Sequence, residues 1–221
     1  MIIAVTGSLG SGKSTVSKIL ARVLDAVHVD TDELCRTQML PGGQGYREFL
    51  KIFGTHFLQA DGTINRARLR REVFGDSQVR EALERILHPL VRQQTADLAR
   101  KQNQSGNHMV VEVPLLFEVG WQQDFDVWVV VYVPEERCLE RVSARDGLSS
   151  EDIRRVFASQ LPISLKLKYA HFVIDNSGTF VSSVLQLAWL GKKLKNVKNL
   201  DSEDLNTYKG NNDLKLNPCL C

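Results

Sequence analysis

The sequence predicts an α/β fold, a doubly wound five-stranded parallel sheet with a helical insertion and a helical lid. Three observations carry this. Apolar, β-branched runs recur between helical stretches, at Ile2–Thr6, Ala26–Asp30, Met109–Val113, Val127–Val133 and Phe172–Ile174. They are continuous rather than alternating, as expected of strands covered on both faces, and the strand–helix alternation suggests parallel pairing. The third is Gly7-Ser8-Leu9-Gly10-Ser11-Gly12-Lys13-Ser14, which matches G-x-x-x-x-G-K-[ST] between an apolar run and a helical pattern.

Taken in order, the first run feeds directly into that glycine-rich loop. Val16, Ile19, Leu20 and Val23 then recur at helical spacing over Ser14–Leu24. A strand, a tight turn and a helix N-terminus gather backbone N–H groups and the positive end of a helix dipole around one anion. Gly7, Gly10, Ser11, Gly12, Lys13, Ser14 and Thr15 are therefore candidate ATP-binding residues. Lys13 would reach the β- and γ-phosphates and the Ser14 hydroxyl would coordinate Mg²⁺.

His28-Val29-Asp30-Thr31-Asp32 ends the second run. Carboxylates at the C-terminal edge of a parallel sheet face a ligand crevice. Asp30 and Asp32 could project together only if the strand ends between them. Asp32, and less strongly Asp30, is a candidate base for an attacking hydroxyl; the alternative is an N-cap for a helix beginning near Glu33.

Residues 33–105 exceed what a simple crossover needs. Arg66–Phe74 and Val79–Arg100 show helical patterning, and Pro41-Gly42-Gly43 and Asp61-Gly62 mark turns. This section reads as a helical insertion over the acceptor side. The third run leads through Glu112 to Pro114, Leu115, Leu116 and Phe117, read as an apolar wall of an acceptor pocket. Glu112 stands where phosphate-loop kinases orient Mg²⁺ through water; the alternative is a strand-end carboxylate paired with Lys13 or an arginine.

After the fourth run, Glu135–Ser159 reads as two helices around Asp146-Gly147, the second capped by Ser149 or Ser150, together a lid at about 135–160. Arg137, Arg141 and Arg145 share one face of the first helix. Arg141 and Arg145 are the candidates for neutralising a transferring phosphoryl group, against a solvated face paired with Glu136 or Glu140. The domain is read as residues 1–190. Residues 191–221 read as a polar, poorly ordered tail.

Bulk properties bound the function. A chain of 221 residues suits one domain with an inserted subdomain. The net charge of +2 implies neither nucleic acid nor membrane partners. No apolar run reaches membrane-span length, and the first strand leaves no room for a signal peptide. Cys35, Cys138, Cys219 and Cys221 lack metal-site spacing and suit a reducing, cytoplasmic setting.

Six segments together resemble the dephospho-coenzyme A kinase family. They are Thr6–Thr15, Asp30-Thr31-Asp32, Leu87-His88-Pro89-Leu90-Val91-Arg92, Val113–Glu118, Arg145-Asp146-Gly147 and Val173–Gly178. The resemblance spans about residues 1–190 and implies ATP-dependent phosphorylation of the ribose 3′-hydroxyl of dephospho-coenzyme A, with Mg²⁺. It also implies Asp32 as base, Asp30 and His88 near the acceptor, and Asn176 and Gly178 near the adenine. A packing role is the alternative for His88. Two positions depart from the family: Glu112 stands where Asp is usual, and Ala170-His171 where Ala-Asp is usual.

Two other functions are compatible with a phosphate loop. Another small-molecule kinase lacks the His88-Pro89 and Pro114–Glu118 elements. A nucleotide switch or regulatory ATPase would need a guanine-binding Asn/Thr-Lys-x-Asp motif or a water-positioning glutamine, and neither is found. Nothing in the sequence indicates an oligomeric state.

Overall fold

The computed structural model describes residues 1–147 and 149–196. Its contacts divide the chain into two compact units, Met1–Val29 with the chain from Ser105 onward, and Asp30–Gln104.

The first unit is built on the sheet. The strands are β1 (Ile2–Gly7), β2 (Val27–Asp30), β3 (Met109–Glu112), β4 (Val127–Tyr132) and β5 (Phe172–Asp175), in the order β2-β3-β1-β4-β5. The β1–β3, β1–β4 and β4–β5 pairs are parallel. Each strand lies within a residue of its expected bounds. The central strand, β1, is buried at every position, which is why its sequence does not alternate. It has β3 on one side and β4 on the other, so the order reverses at its C-terminal end, the place where open α/β sheets form a ligand crevice.

Helix α1 (Lys13–Leu24) buries Val16, Leu20, Ala21 and Leu24 in the same core as Ile3, Val5, Val129 and Val131. Among the described residues the last helix packs on α1. This helix, Phe180–Asn196, adds Leu187, Leu190 and Leu194 to that core. A Cβ at Gly191 would fall 2.2 Å from Val23 Cγ1, so glycine is what lets the two backbones approach. The helix continues past Gly191, where the tail was expected to begin, because Leu194 is still core. The remainder of the expected tail, 197–221, lies outside the described residues.

His171, the second departure from the family pattern, is buried. Its ring stacks on Trp128 at 4.2 Å, its Nδ1 accepts the Trp128 N–H at 3.1 Å, and its own N–H donates to Trp128 O. It therefore serves as a packing residue between β4 and β5.

The second unit has its own core. Helices α2 (Thr31–Gln38), α3 (Gln44–Phe53), α4 (Arg66–Gly75) and α5 (Ser77–Gln104) enclose Met39, Phe49, Phe57, Ile64, Leu69, Ile86 and Leu87. Phe49, Phe53 and Phe57 form a cluster of tilted and edge-on rings, with centroids 4.7–5.9 Å apart. Helix α5 runs through Pro89, whose missing N–H removes one helical hydrogen bond. Helix α2 answers to the helix expected near Glu33, whereas α3 was not anticipated, although Tyr46, Phe49, Leu50 and Phe53 stand at helical spacing within it.

Between β4 and β5 run α6 (Glu135–Asp146), α7 (Ser150–Ala158) and α8 (Ile163–Tyr169), and the helix Phe180–Asn196 is α9. Ser149 caps α7 by accepting the Asp152 N–H at 3.1 Å.

Candidate active site

The phosphate loop connects β1 to α1. Gly10 and Gly12 have φ of 79° and 83°, a left-handed conformation that side-chain-bearing residues rarely adopt. Both are also crowded. A Cβ at Gly12 would lie 2.4 Å from Asn176 Nδ2, and one at Gly10 2.7 Å from Val142 Cγ2 and 2.8 Å from Cys138 O. The glycines thus admit α6 and the β5–α9 loop to the back of the loop. Gly12 is the N-cap of α1 and offers no side chain to cap it, leaving that helix end to a ligand. Lys13 Nζ donates to Ser8 O at 3.4 Å, which folds the ammonium back over the loop.

Ser14 Oγ donates to Glu112 Oε1 at 2.6 Å. The Ser17 hydroxyl takes the other oxygen, donating to Glu112 Oε2 at 3.2 Å. Glu112 is 3 % exposed whereas Ser14 is open to solvent. An exposed hydroxyl backed by a buried carboxylate is an oxygen donor set suited to a hard cation. No cluster of three or more His, Cys, Asp or Glu side chains suited to a metal occurs among the described residues, so phosphate and water oxygens would have to complete such a shell.

Asn176 ties the nucleotide side together. Its Nδ2 donates to Ser11 O at 2.8 Å and its Oδ1 accepts from Ser183 Oγ at 2.7 Å. Arg141 Nη2 donates to Asn176 O at 3.0 Å, and Arg137 donates to Ser177 O. Gly178 follows on the same loop and is exposed. Two of the three arginines on α6 therefore grip backbone carbonyls of the β5–α9 loop, rather than Glu136 or Glu140. Arg145 does not join them: its Nε and Nη2 grasp both oxygens of Asp146 at 2.8 and 2.7 Å, and that hydrogen bonding raises its pKa.

Of the expected apolar wall, Leu116 and Phe117 are buried, Phe117 edge-on to Trp128 at 6.2 Å. Pro114 and Leu115 remain half-buried. Pro114 O accepts from Thr6 Oγ1 at 3.1 Å, fixing this segment to β1.

The second unit carries Asp30, Asp32 and His88. Helix α2 begins at Thr31, earlier than expected, and its N-cap is Asp30, whose Oδ1 accepts the N–H groups of Asp32 at 2.9 Å and Glu33 at 3.3 Å. Capping is thus done by Asp30, and Asp32 lies in the first helical turn. Burial, followed by Asp32 and Asp30, pushes the nearby Cys35 thiol up to about 11. His88 borders an open cleft of about 530 Å³ with Glu81, Glu84, Arg85 and Pro89. Burial lowers its pKa and the Glu84 carboxylate opposes this.

Sequence reasoning missed Ser17, His28, Glu118 and Lys166. Ser17 shares a helix face with Ser14, an i, i+3 signal that was available. The others meet only through folding.

A glycine-rich cradle at the reversal point of a parallel sheet, a lysine and serine entering α1, and arginines on α6 define a phosphate-loop kinase of the small-molecule class. The chain belongs to the dephospho-CoA kinase family, whose model matches residues 1–182. Dephospho-CoA kinase of Desulfotalea psychrophila is 35 % identical over 187 residues, 85 % of this chain and 94 % of that protein. A solved Thermus thermophilus structure matches with a TM-score of 0.73 and 31 % identity, covering 90 % of this chain and 98 % of that one. Dephospho-CoA kinase from Campylobacter jejuni matches with a TM-score of 0.66 and 26 % identity, over 87 % and 96 % of the two chains.

Proposed function

We propose that this chain transfers the γ-phosphoryl group of ATP to the ribose 3′-hydroxyl of dephospho-coenzyme A, giving coenzyme A in the last step of its synthesis. Membership of the family over residues 1–182 supports the reaction, and the Ser14–Glu112 contact beside Lys13 is the observation that carries the chemistry.

The loop from Gly7 to Thr15 holds the phosphates through backbone N–H groups, with Lys13 on the β- and γ-phosphates. Ser14 and, through water, Glu112 would hold Mg²⁺, which would supply positive charge against the phosphoryl oxygens. Asn176 and Gly178 sit at the adenine end of ATP. Asp32, in the first turn of α2, accepts the proton of the attacking hydroxyl. Asp30, His88, Pro114, Leu115, Leu116 and Phe117 are the acceptor-binding residues of this reading. Arg141 closes on the transferring group when it leaves Asn176 O. No helix among the described residues is long and apolar enough to cross a membrane, and the substrates are small molecules. The site of action is cytoplasmic.

The test is an assay with ATP, Mg²⁺ and dephospho-coenzyme A as the only acceptor, with the product identified by mass. Turnover with that acceptor, and none with shikimate, gluconate or nucleoside monophosphates, is expected. Lys13→Ala should abolish turnover and leave the unfolding transition unchanged. Preference for another acceptor, or acceptor-independent hydrolysis at the same rate, overturns the proposal.

A further inference from the structure

Behind the Ser14–Glu112 contact lies a second pair of side chains. Ser17 Oγ is within hydrogen-bond distance of His28 Nε2 at 2.9 Å, of Glu112 Oε2 at 3.2 Å and of Ser14 O at 3.1 Å. Ser17 is fully buried and Glu112 nearly so, so solvent does not substitute for these partners. A hydroxyl has one proton to give and lone pairs to receive with. If His28 Nε2 lacked a proton it would compete with Oε2 and Ser14 O for that of Ser17. If Nε2 carries the proton, His28 donates to Ser17, Ser17 donates to Oε2, and Ser14 donates to Oε1. The second arrangement frees the Ser17 proton from the imidazole and lets each carboxylate oxygen accept a hydroxyl.

We infer that His28 is a positioning residue for the metal-side carboxylate, acting through Ser17. Glu112 has one more rotatable bond than the Asp usual at this position, and correspondingly more freedom to lose. Two hydroxyls one helical turn apart on α1 take hold of its two oxygens, and His28 on β2 sets the direction of the second. Ser14, with its proton directed at Glu112, then presents its lone pairs outward. The inference rests on the reading of Glu112 as the metal-side carboxylate.

The experiment measures ATP binding by calorimetry, with Mg²⁺ and separately in EDTA, for wild type, His28→Leu, His28→Gln, Ser17→Ala and the Ser17→Ala/His28→Leu double variant. Loss of an outer hydrogen bond to a metal ligand typically costs about tenfold in metal-dependent affinity. His28→Leu is expected to weaken binding by about tenfold with Mg²⁺ and not in EDTA. His28→Gln, whose amide N–H can still donate, is expected to bind within about twofold of wild type, and the double variant no more weakly than Ser17→Ala, as for residues in one network. Long-range ¹H–¹⁵N spectra of the wild-type imidazoles should show His28 as the Nε2–H tautomer, a signature that needs no variant to fold. An Nδ1–H tautomer, equal losses in EDTA and Mg²⁺, or additive losses in the double variant overturn the inference. Glu112→Gln with unaltered Mg²⁺ dependence would instead overturn the metal reading of Glu112, and the His28 tautomer would remain a separate result.

Discussion

Lys166 Nζ stands 2.7 Å from Glu118 Oε1, although the lysine side chain is wholly buried and the glutamate only 14 % exposed. The approach is that of an ion pair without the angles of a hydrogen bond, and Lys166 Nζ has no hydrogen-bond partner. Glu118 Oε1 also accepts the Leu161 N–H at 3.0 Å. One carboxylate thus ties the segment after β3 to both α8 and the α7–α8 connection.

Removing one member of such a pair leaves a buried charge unmatched, so Lys166→Met should destabilise the fold by about 3–5 kcal/mol. The Lys166→Met/Glu118→Leu double variant should recover much of this, short of about 1 kcal/mol for the orphaned Leu161 N–H. Urea unfolding of the three proteins measures both quantities. A cost below about 1 kcal/mol for Lys166→Met would mean that water reaches the site.

Asp30 and Asp32 should separate by readout. Asp30→Ala removes the N-cap of α2 and is expected to cost about 1 kcal/mol of stability. Asp32→Asn leaves that cap in place and is expected to lower kcat by about 10²–10⁴ with an unchanged unfolding midpoint. Wild-type turnover in Asp32→Asn would remove Asp32 from the chemistry.

The arginines on α6 should also differ. Arg141→Lys keeps the charge but loses the planar fork, and is expected to lower kcat and kcat/KM together with KM for ATP little changed. Arg145→Lys should have the smaller effect, because Arg145 must first leave Asp146. Steady-state kinetics decides. A rise in KM alone for Arg141→Lys would assign it to ground-state phosphate binding.

His108 sets a pH dependence. Burial, with the N-terminal ammonium and Lys195, holds its pKa below the ordinary 6.5, and its Nδ1 has no partner. The folded protein therefore resists protonation while the unfolded chain accepts it near pH 6.5. The unfolded state binds more protons in that window, so stability falls as pH drops below about 6.5. His88 acts in the same direction. Thermal midpoints from pH 7.5 to 5.5 should decline less steeply for His108→Gln than for wild type. Parallel declines would exclude His108 as a contributor.

The amino-acid sequence alone determined the five strands, the phosphate loop and the helices α6 and α7. Each is written in local terms: β-branched runs such as Val127–Tyr132, glycines where φ is positive, and Ser149 three residues before Asp152. The class of reaction was legible for the same reason, because a phosphate cradle is contiguous in the chain. Tertiary structure alone decided which residues share the work. Asp30 rather than Asp32 became the cap because β2 ends there. Leu116 and Phe117 went to the core because Trp128 lay against Phe117. Arg141 and Arg145, one helical turn apart, took different partners, Asn176 O and Asp146. Glu112 met Ser17, and Ser17 met His28, only because α1 packs close to β3 and β2 lies beside β3. Such partners are distant in sequence, and their energies arise only when burial removes the water that would otherwise satisfy each group by itself.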